Sequence, residues 1–309
     1  MVQFFKNLVK NKVMLFMVLP GAIWFFFFSY LPLVGTIVAF KQYRFSREGF
    51  WASIAKSEWV GWKNFKFLFT TDDAFIITRN TLLYNIAFIF LGLVLSVAMA
   101  ILLSELVSKK MAKIYQTGMF LPYFLSWVIV GYFAFSFLSL DRGMLNQILG
   151  WFGAEPIQWY SEAKYWPYIL ILVNLWKAVG YSSVVYLASI MGIDKSLYEA
   201  AMIDGASKWQ QIRSITIPML SPIIIIMTLL AVGRIFYADF GLFYQVPRDS
   251  GTLYSVTNVI DTYVYRGLKT TGEIGMSTAA GLYQSVVGFI LVMVSNFVVR
   301  KIDKDSALF

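Results

Sequence analysis

The chain has 309 residues, of which 59% are hydrophobic and 14% charged, with a mean hydropathy of +0.66. Soluble domains average about 45–50% apolar and about 25% charged residues, so this composition points to a membrane protein with several spans. The formal net charge is +9, and Cys and His are both absent, which excludes thiol catalysis, disulfides, His-dependent triads and Cys/His zinc sites.

A spanning helix needs about 20 mostly apolar residues, and six stretches qualify. Residues 13–40 carry no charge. Lys6, Lys10 and Lys12 precede that run, as in a signal peptide. The run is longer than the usual h-region of about 7–15 residues and no A-x-A-like site follows, so an uncleaved first span is expected. Residues 41–79 hold Trp51, Trp59 and Trp62, which suit either a membrane-surface helix or a solvated loop with aromatic anchors. Residues 80–104, 114–140 and 165–193 give the second to fourth spans, the last interrupted only by Lys177. Residues 214–233 and 274–299 give the fifth and sixth. Helices satisfy their own backbone groups, and the alternation of a membrane barrel is absent. The expected fold is therefore all-α, with six transmembrane helices. Residues 1–79 form a tail, a first span and an external loop, and residues 80–309 form a five-span core.

With six spans both termini share one side. Basic residues are roughly twice as dense in the tails and in the second and fourth loops as in the other three loops. The dense set includes Lys109, Lys110, Lys113, Lys195, Lys208, Arg213, Arg300, Lys301 and Lys304. This bias puts both termini in the cytoplasm. The same bias accounts for the net charge. No basic face with interleaved stacking aromatics appears, so no nucleic-acid partner is expected. No G-x-x-x-x-G-K-[ST] string occurs, so any ATP-driven motor is another chain.

The fourth loop, residues 194–218, is the most informative. Asp194 or Ser196 can cap a short helix from Leu197 to Ile203, and Gly205 can end it in a left-handed conformation. Residues 206–214 suit a second short helix leading into the fifth span. The small Ala200 and Ala201 permit close approach by a partner, and Glu199 offers it a charge. The spacing Glu199-Ala200-Ala201, Gly205 four positions on, then Ile215 and Pro218, with Asp204 before the Gly, resembles the EAA loop of binding-protein-dependent ABC importer permeases. Ile217 stands where Leu is usual. Gly61-Trp62-Lys63-Asn64-Phe65, Asn80-Thr81, Leu121-Pro122, Gly143 with Asn146, Trp176, Leu187-Ala188 and Ile193 look like corresponding segments of carbohydrate-uptake permeases. Residues 239–275 match less specifically.

This resemblance implies a type I importer permease fold with a cytoplasmic coupling-helix loop, in a bacterial plasma membrane. It implies that Glu199, Ala200, Ala201, Asp204, Gly205, Ile215 and Pro218 couple the chain to an ATPase. The implied partners are a second homologous permease, two ATPase subunits, an extracytoplasmic sugar-binding protein and membrane lipid. No cofactor is expected on this chain, with ATP and Mg in the partner ATPase. The cargo implied is an oligosaccharide.

A midspan charge costs at least about 2.5 kcal/mol, so Lys177 should face a cavity or a partner. Asn174, Lys177 and Tyr181 fall at i, i+3 and i+7 on one helix face, a polar and aromatic combination suited to a sugar or to helix packing. Arg234 can snorkel or pair with Asp239, and Gln284, Ser285 and Asn296 suit helix–helix contacts. A permease for another solute and an ion-coupled transporter are alternatives. The latter commonly needs buried titratable groups, and no clear midspan Asp or Glu is present.

Overall fold

The computed structural model describes residues 11–70 and 72–302; Lys6, Lys10 and Lys304, which enter the charge bias, lie outside them. Among the described residues, five helical stretches are long and apolar enough to cross a membrane: Lys12–Phe40, Asp73–Ser104, Ala163–Met191, Lys208–Val232 and Ile274–Lys301. A sixth crossing is available to a bent pair, Lys110–Phe124 with Trp127–Leu138. Each apolar stretch of the sequence coincides with one of these.

The chain divides into two units, Met1–Thr70 with Gly267–Leu282, and Thr71–Arg266 with Tyr283–Phe309. In the first, α1 (Lys12–Phe25) runs through a π turn (Phe26–Tyr30) into a 3-10 stretch (Leu31–Phe40). No residue of α1 is buried, as an apolar helix facing lipid requires. A two-stranded antiparallel ribbon follows, β1 (Lys41–Gln42) on β2 (Glu58–Trp59), with α2 (Phe50–Lys56) between them. Trp51 sits on α2, Trp59 on β2 and Trp62 on a 3-10 turn before α3 (Phe67–Thr70), all three exposed. Asn64 fixes the ribbon by donating from Nδ2 to the carbonyls of Ala39 and Lys41 at 3.0 and 2.9 Å.

The second unit holds the core spans. In order these are α4 (Asp72–Ser104), α5 (Lys109–Phe120), α6 (Trp127–Leu138), a short α7 (Met144–Trp151) and α8 (Trp166–Met191). Then come α9 (Lys195–Ile203), α10 (Lys208–Gln211), α11 (Ile217–Val232), α12 (Phe240–Gln245) and α13 (Tyr254–Thr257). Helices α14 (Ile260–Thr271) and α15 (Ile274–Ile302) contribute to both units.

The third apolar stretch does not form one straight helix. A 3-10 turn at Leu121–Phe124 separates α5 from α6, and the two axes meet at 99°. Pro122 opens that turn because it has no N–H to continue the ladder. Leu125 is extended, and Ser126 caps α6 by accepting from the Ile129 amide. Hydropathy is blind to such a bend, because it reports how apolar a stretch is and not its direction.

Helices α4 and α8 pack along each other, with a buried cluster toward each end. One gathers Tyr84, Trp166, Leu170, Leu242, Val246 and Val259. The other gathers Ala100, Leu103, Tyr186, Leu187, Ile190 and Leu220. Tyr84 and Ala100 are separated by about 24 Å along α4. Polar groups inside the first cluster are satisfied, as burial demands: the Trp166 indole donates to the Trp159 carbonyl at 2.7 Å and the Tyr84 hydroxyl to that of Val256 at 2.9 Å. Gln284 on α15 donates to the Phe236 carbonyl at 2.7 Å, and the Ser285 hydroxyl lies 2.7 Å from that of Tyr237. Gln284 and Ser285, expected to join helix to helix, instead tie α15 to the turn that follows α11.

Candidate functional site: the loop between the fourth and fifth spans

The segment from Asp194 to Pro218 is built by local rules. Asp194 caps α9, its carboxylate accepting from the Ser196 amide at 3.0 Å, and that donor holds the carboxyl below the usual carboxylate range. The helix ends in a Schellman arrangement. The Ala206 amide donates back to the Ala201 carbonyl at 2.9 Å and the Gly205 amide to that of Met202 at 3.1 Å. This closure needs a left-handed residue at position 205, and Gly205 has φ +77°. Ser207 then starts α10 with a reciprocal capping box to Gln210. A π turn (Ile212–Thr216) leads into α11, with Pro218 as its second residue.

The knob is tied to its base at two points. Lys208 Nζ lies 2.8 Å from Glu105 Oε2, just beyond the end of α4. The Tyr198 hydroxyl lies 2.9 Å from Thr216 Oγ1. Buried Gln211 adds a bond from Nε2 to the Ala206 carbonyl at 3.0 Å, bracing the turn from beneath.

The outward surface is bare. No residue of α9 is buried, and Met202, Ile203 and Trp209 are exposed, Ile203 by 87%. Glu199 is exposed and has no ion-pair partner among the described residues. The structure therefore brings Glu199, Ala200, Ala201, Asp204 and Gly205 together on one short helix and its turn. Ile215, half-buried in the π turn, and Pro218, exposed at the start of α11, belong to the stem instead. Sequence reasoning passed over Ile203 and Trp209. The Ser207-x-x-Gln210 capping box, which places Trp209 on an exposed turn, was the available signal.

The polar face expected on the fourth span divides. Asn174 lines a cavity of about 220 Å³ between α4, α8 and α11, shared with Ser96, Ser182 and Thr228. Lys177 lies at the break in the third span. Its Nζ donates to the carbonyls of Tyr123 and Leu125 at 2.6 and 2.7 Å and of Pro122 at 3.3 Å. It also sits 5.2 Å from the Trp127 ring centroid. Tyr181 stacks on Tyr123 with centroids 4.2 Å apart. Asp239 does not pair with Arg234. Its Oδ1 caps α12 through the Gly241 and Leu242 amides, and its Oδ2 accepts from the Trp127 indole at 2.8 Å.

Comparison with known proteins agrees with this architecture. The profile described as "Binding-protein-dependent transport system inner membrane component" matches residues 92–304. The chain is 34% identical over 303 residues to the polygalacturonan/rhamnogalacturonan transport system permease protein YteP of Bacillus subtilis, covering 97% of this chain and 91% of the relative. It is 27% identical over 239 residues to the arabinooligosaccharides transport system permease protein AraP of Halalkalibacterium halodurans, covering 75% and 73%. It superposes with TM-score 0.86 and 32% identity on a chain of a bacterial ABC transporter involved in the import of the acidic polysaccharide alginate, covering 97% of this chain and 99% of that one. A second structure of the alginate transporter, in complex with an alginate pentasaccharide-bound periplasmic protein, gives the same score. The family profile spans more than half of the chain and the relatives span nearly all of it: this protein belongs to the binding-protein-dependent transport system inner membrane components, the permease subunits of ABC importers.

Proposed function

We propose that this chain translocates an oligosaccharide across a bacterial plasma membrane as one of two permeases, driven by two ATPase subunits and supplied by an extracytoplasmic binding protein. Both termini and the 194–218 loop face the cytoplasm in this reading. ATP and Mg belong to the partner ATPases, and no cofactor belongs to this chain. The observation that carries the proposal is the bare, internally braced knob from Asp194 to Thr216, with exposed Met202, Ile203 and Trp209 and an exposed Glu199 that has no ion-pair partner among the described residues. Such a surface suits docking by a partner that supplies a basic side chain and an apolar groove. The ties to Glu105, next after α4, and through Tyr198 to Thr216, next before α11, sit at the ends of two spans, so displacement of the knob acts on both. Coupling then works by biasing a two-state arrangement of the spans from both ends, nucleotide at the knob and sugar at the far side. The relatives named above support a saccharide cargo.

The test is ATPase copurification and sugar uptake measured in the same membranes. A Cβ at position 205 would meet nothing within 4 Å in this chain. The cost of Gly205→Val within the chain is therefore backbone strain of roughly 1 kcal/mol or more, and any further loss reports the docked partner. Glu199→Lys leaves the fold intact and places like charges at the interface. Both variants are expected to insert and to pair with the second permease. Both are expected to weaken ATPase docking or uncouple hydrolysis from uptake, Glu199→Lys more severely. Normal docking and uptake in both would sink the coupling assignment.

A further inference from the structure

At the end of the spans opposite the knob, α12 runs into a loop whose backbone is forced. Arg248 and Asp249 have φ of +55° and +49°, a left-handed pair without a glycine, and non-glycine residues hold such angles only where surrounding contacts impose them. Those contacts are visible. The Asp249 amide donates to the Tyr244 carbonyl at 3.1 Å and the Arg248 amide to that of Gln245 at 3.3 Å. Asp249 Oδ1 lies 2.7 Å from Arg266 Nη1 and accepts from the Tyr254 hydroxyl at 3.1 Å. Helix α6 lies against the other side of this loop, so closely at Gly131 that a Cβ there would sit 2.7 Å from the Gln245 carbonyl.

Between α6 and the loop is an open cleft of about 240 Å³, lined by Tyr132, Tyr244, Gln245, Arg248 and Asp249. At about 30 Å³ per water this is the space of roughly eight waters, on the scale of a single sugar ring. Its electrostatics are one-sided. The Asp249 charge is spent on Arg266. The Arg248 side chain is exposed and has no ion-pair or side-chain hydrogen-bond partner among the described residues. Its guanidinium is held over the Phe135 ring at 4.2 Å from the centroid, which orients the fork without using its donors. The guanidinium also acts on the half-buried Tyr160 phenol, whose pKa burial pushes up to about 12 against the opposing pull of Arg248.

We propose that this cleft is a binding subsite for the carboxylate of a uronate-containing oligosaccharide, with Arg248 reading the charge and Tyr132 and Tyr244 flanking the sugar ring. An oriented guanidinium matches a carboxylate with two parallel hydrogen bonds, and aromatic faces suit the C–H faces of a pyranose. The strained backbone sets Arg248 and Asp249 side by side on the cleft wall, with the Asp249 carboxylate held by Arg266 and Tyr254 and the Arg248 guanidinium left to the ligand. This subsite rests on the saccharide reading above and narrows it to acidic chains.

The test uses the complete transporter in proteoliposomes, with a galacturonate trisaccharide, a mannuronate trisaccharide and a neutral galactose trisaccharide as probes. Wild type is expected to import at least one uronate. The concentration for half-maximal uptake should rise roughly tenfold in Arg248→Gln, since a hydrogen bond to a charged group is worth about that factor. It should rise less in Arg248→Lys and more in Arg248→Glu. Lys164→Gln, an equal loss of charge on an exposed loop, should change nothing. Docking of the loaded binding protein, measured on the same vesicles, should be unaffected in all four. Uronate uptake that ignores the charge at position 248 overturns the proposal. So does a loss that tracks weaker docking, which would make Arg248 a protein contact. A wild type that imports only the neutral sugar overturns the subsite and leaves the saccharide reading standing. One that imports none of the three brings down that reading and the subsite together.

Discussion

Lys177 shows what a single residue can and cannot announce. A lone cation in an apolar stretch needs partners, and the sequence says so. It cannot say which, because the acceptors are the carbonyls of Pro122, Tyr123 and Leu125, more than fifty residues earlier. Those of Tyr123 and Leu125 are open to it because the 3-10 turn at Leu121–Phe124 and the extended Leu125 interrupt the helical ladder, while that of Pro122 also accepts the Leu125 amide. Lys177→Met removes the donor and keeps the volume, leaving the Tyr123 and Leu125 carbonyls without this partner at about 1–3 kcal/mol for each that water cannot reach. The expected outcome is an assembled complex with a lower melting temperature in detergent and altered uptake. Wild-type uptake together with wild-type substrate-stimulated ATPase would show that the bonds to Lys177 are dispensable for transport.

Among the elements, α8 and the end of α5 meet at Gly180 with no room for a side chain. A Cβ on Gly180 would overlap the Met119 carbonyl, so the two backbones touch where a side chain would hold them apart, as small residues allow in membrane helices. Gly180→Ala is expected to destabilise the complex by about 1–3 kcal/mol through overpacking. Gly92→Ala, whose Cβ would meet only a Leu175 methyl at 4.0 Å, is expected to be nearly neutral. Thermal unfolding of the two purified variants makes the comparison, and equal melting temperatures would refute the crowding argument. Much at this scale was legible. The Asp194 cap, the helix through Ile203 and the turn at Gly205 follow from local chemistry, and all are present. The second loop helix, expected over residues 206–214, is shorter: α10 stops at Gln211 and a π turn replaces its last part. A π turn leaves no mark on propensity or periodicity, and neither does the bend before α6.

For the molecule as a whole, the charge bias gives an orientation that labelling can check. The chain has no Cys, so single cysteines can be introduced without background. An impermeant thiol reagent applied from outside should modify a cysteine at Glu155 and spare one at Lys110; the opposite pattern would invert the topology. The cleft at Arg248 was not legible at this scale, because it is assembled from α6 and a loop more than a hundred residues further on, with no motif in either. The bend in the third span also bears on how the chain is made. Helices α5 and α6 have 12 residues each, about 18 Å apiece, so neither alone crosses a hydrocarbon layer of about 30 Å. Lys177 lies 37 residues beyond residue 140, so the third span leaves the ribosome ahead of the ammonium that will close its break. The third span is therefore an unfinished guest in the bilayer until the fourth arrives with Lys177, in an order that the genetic text itself imposes.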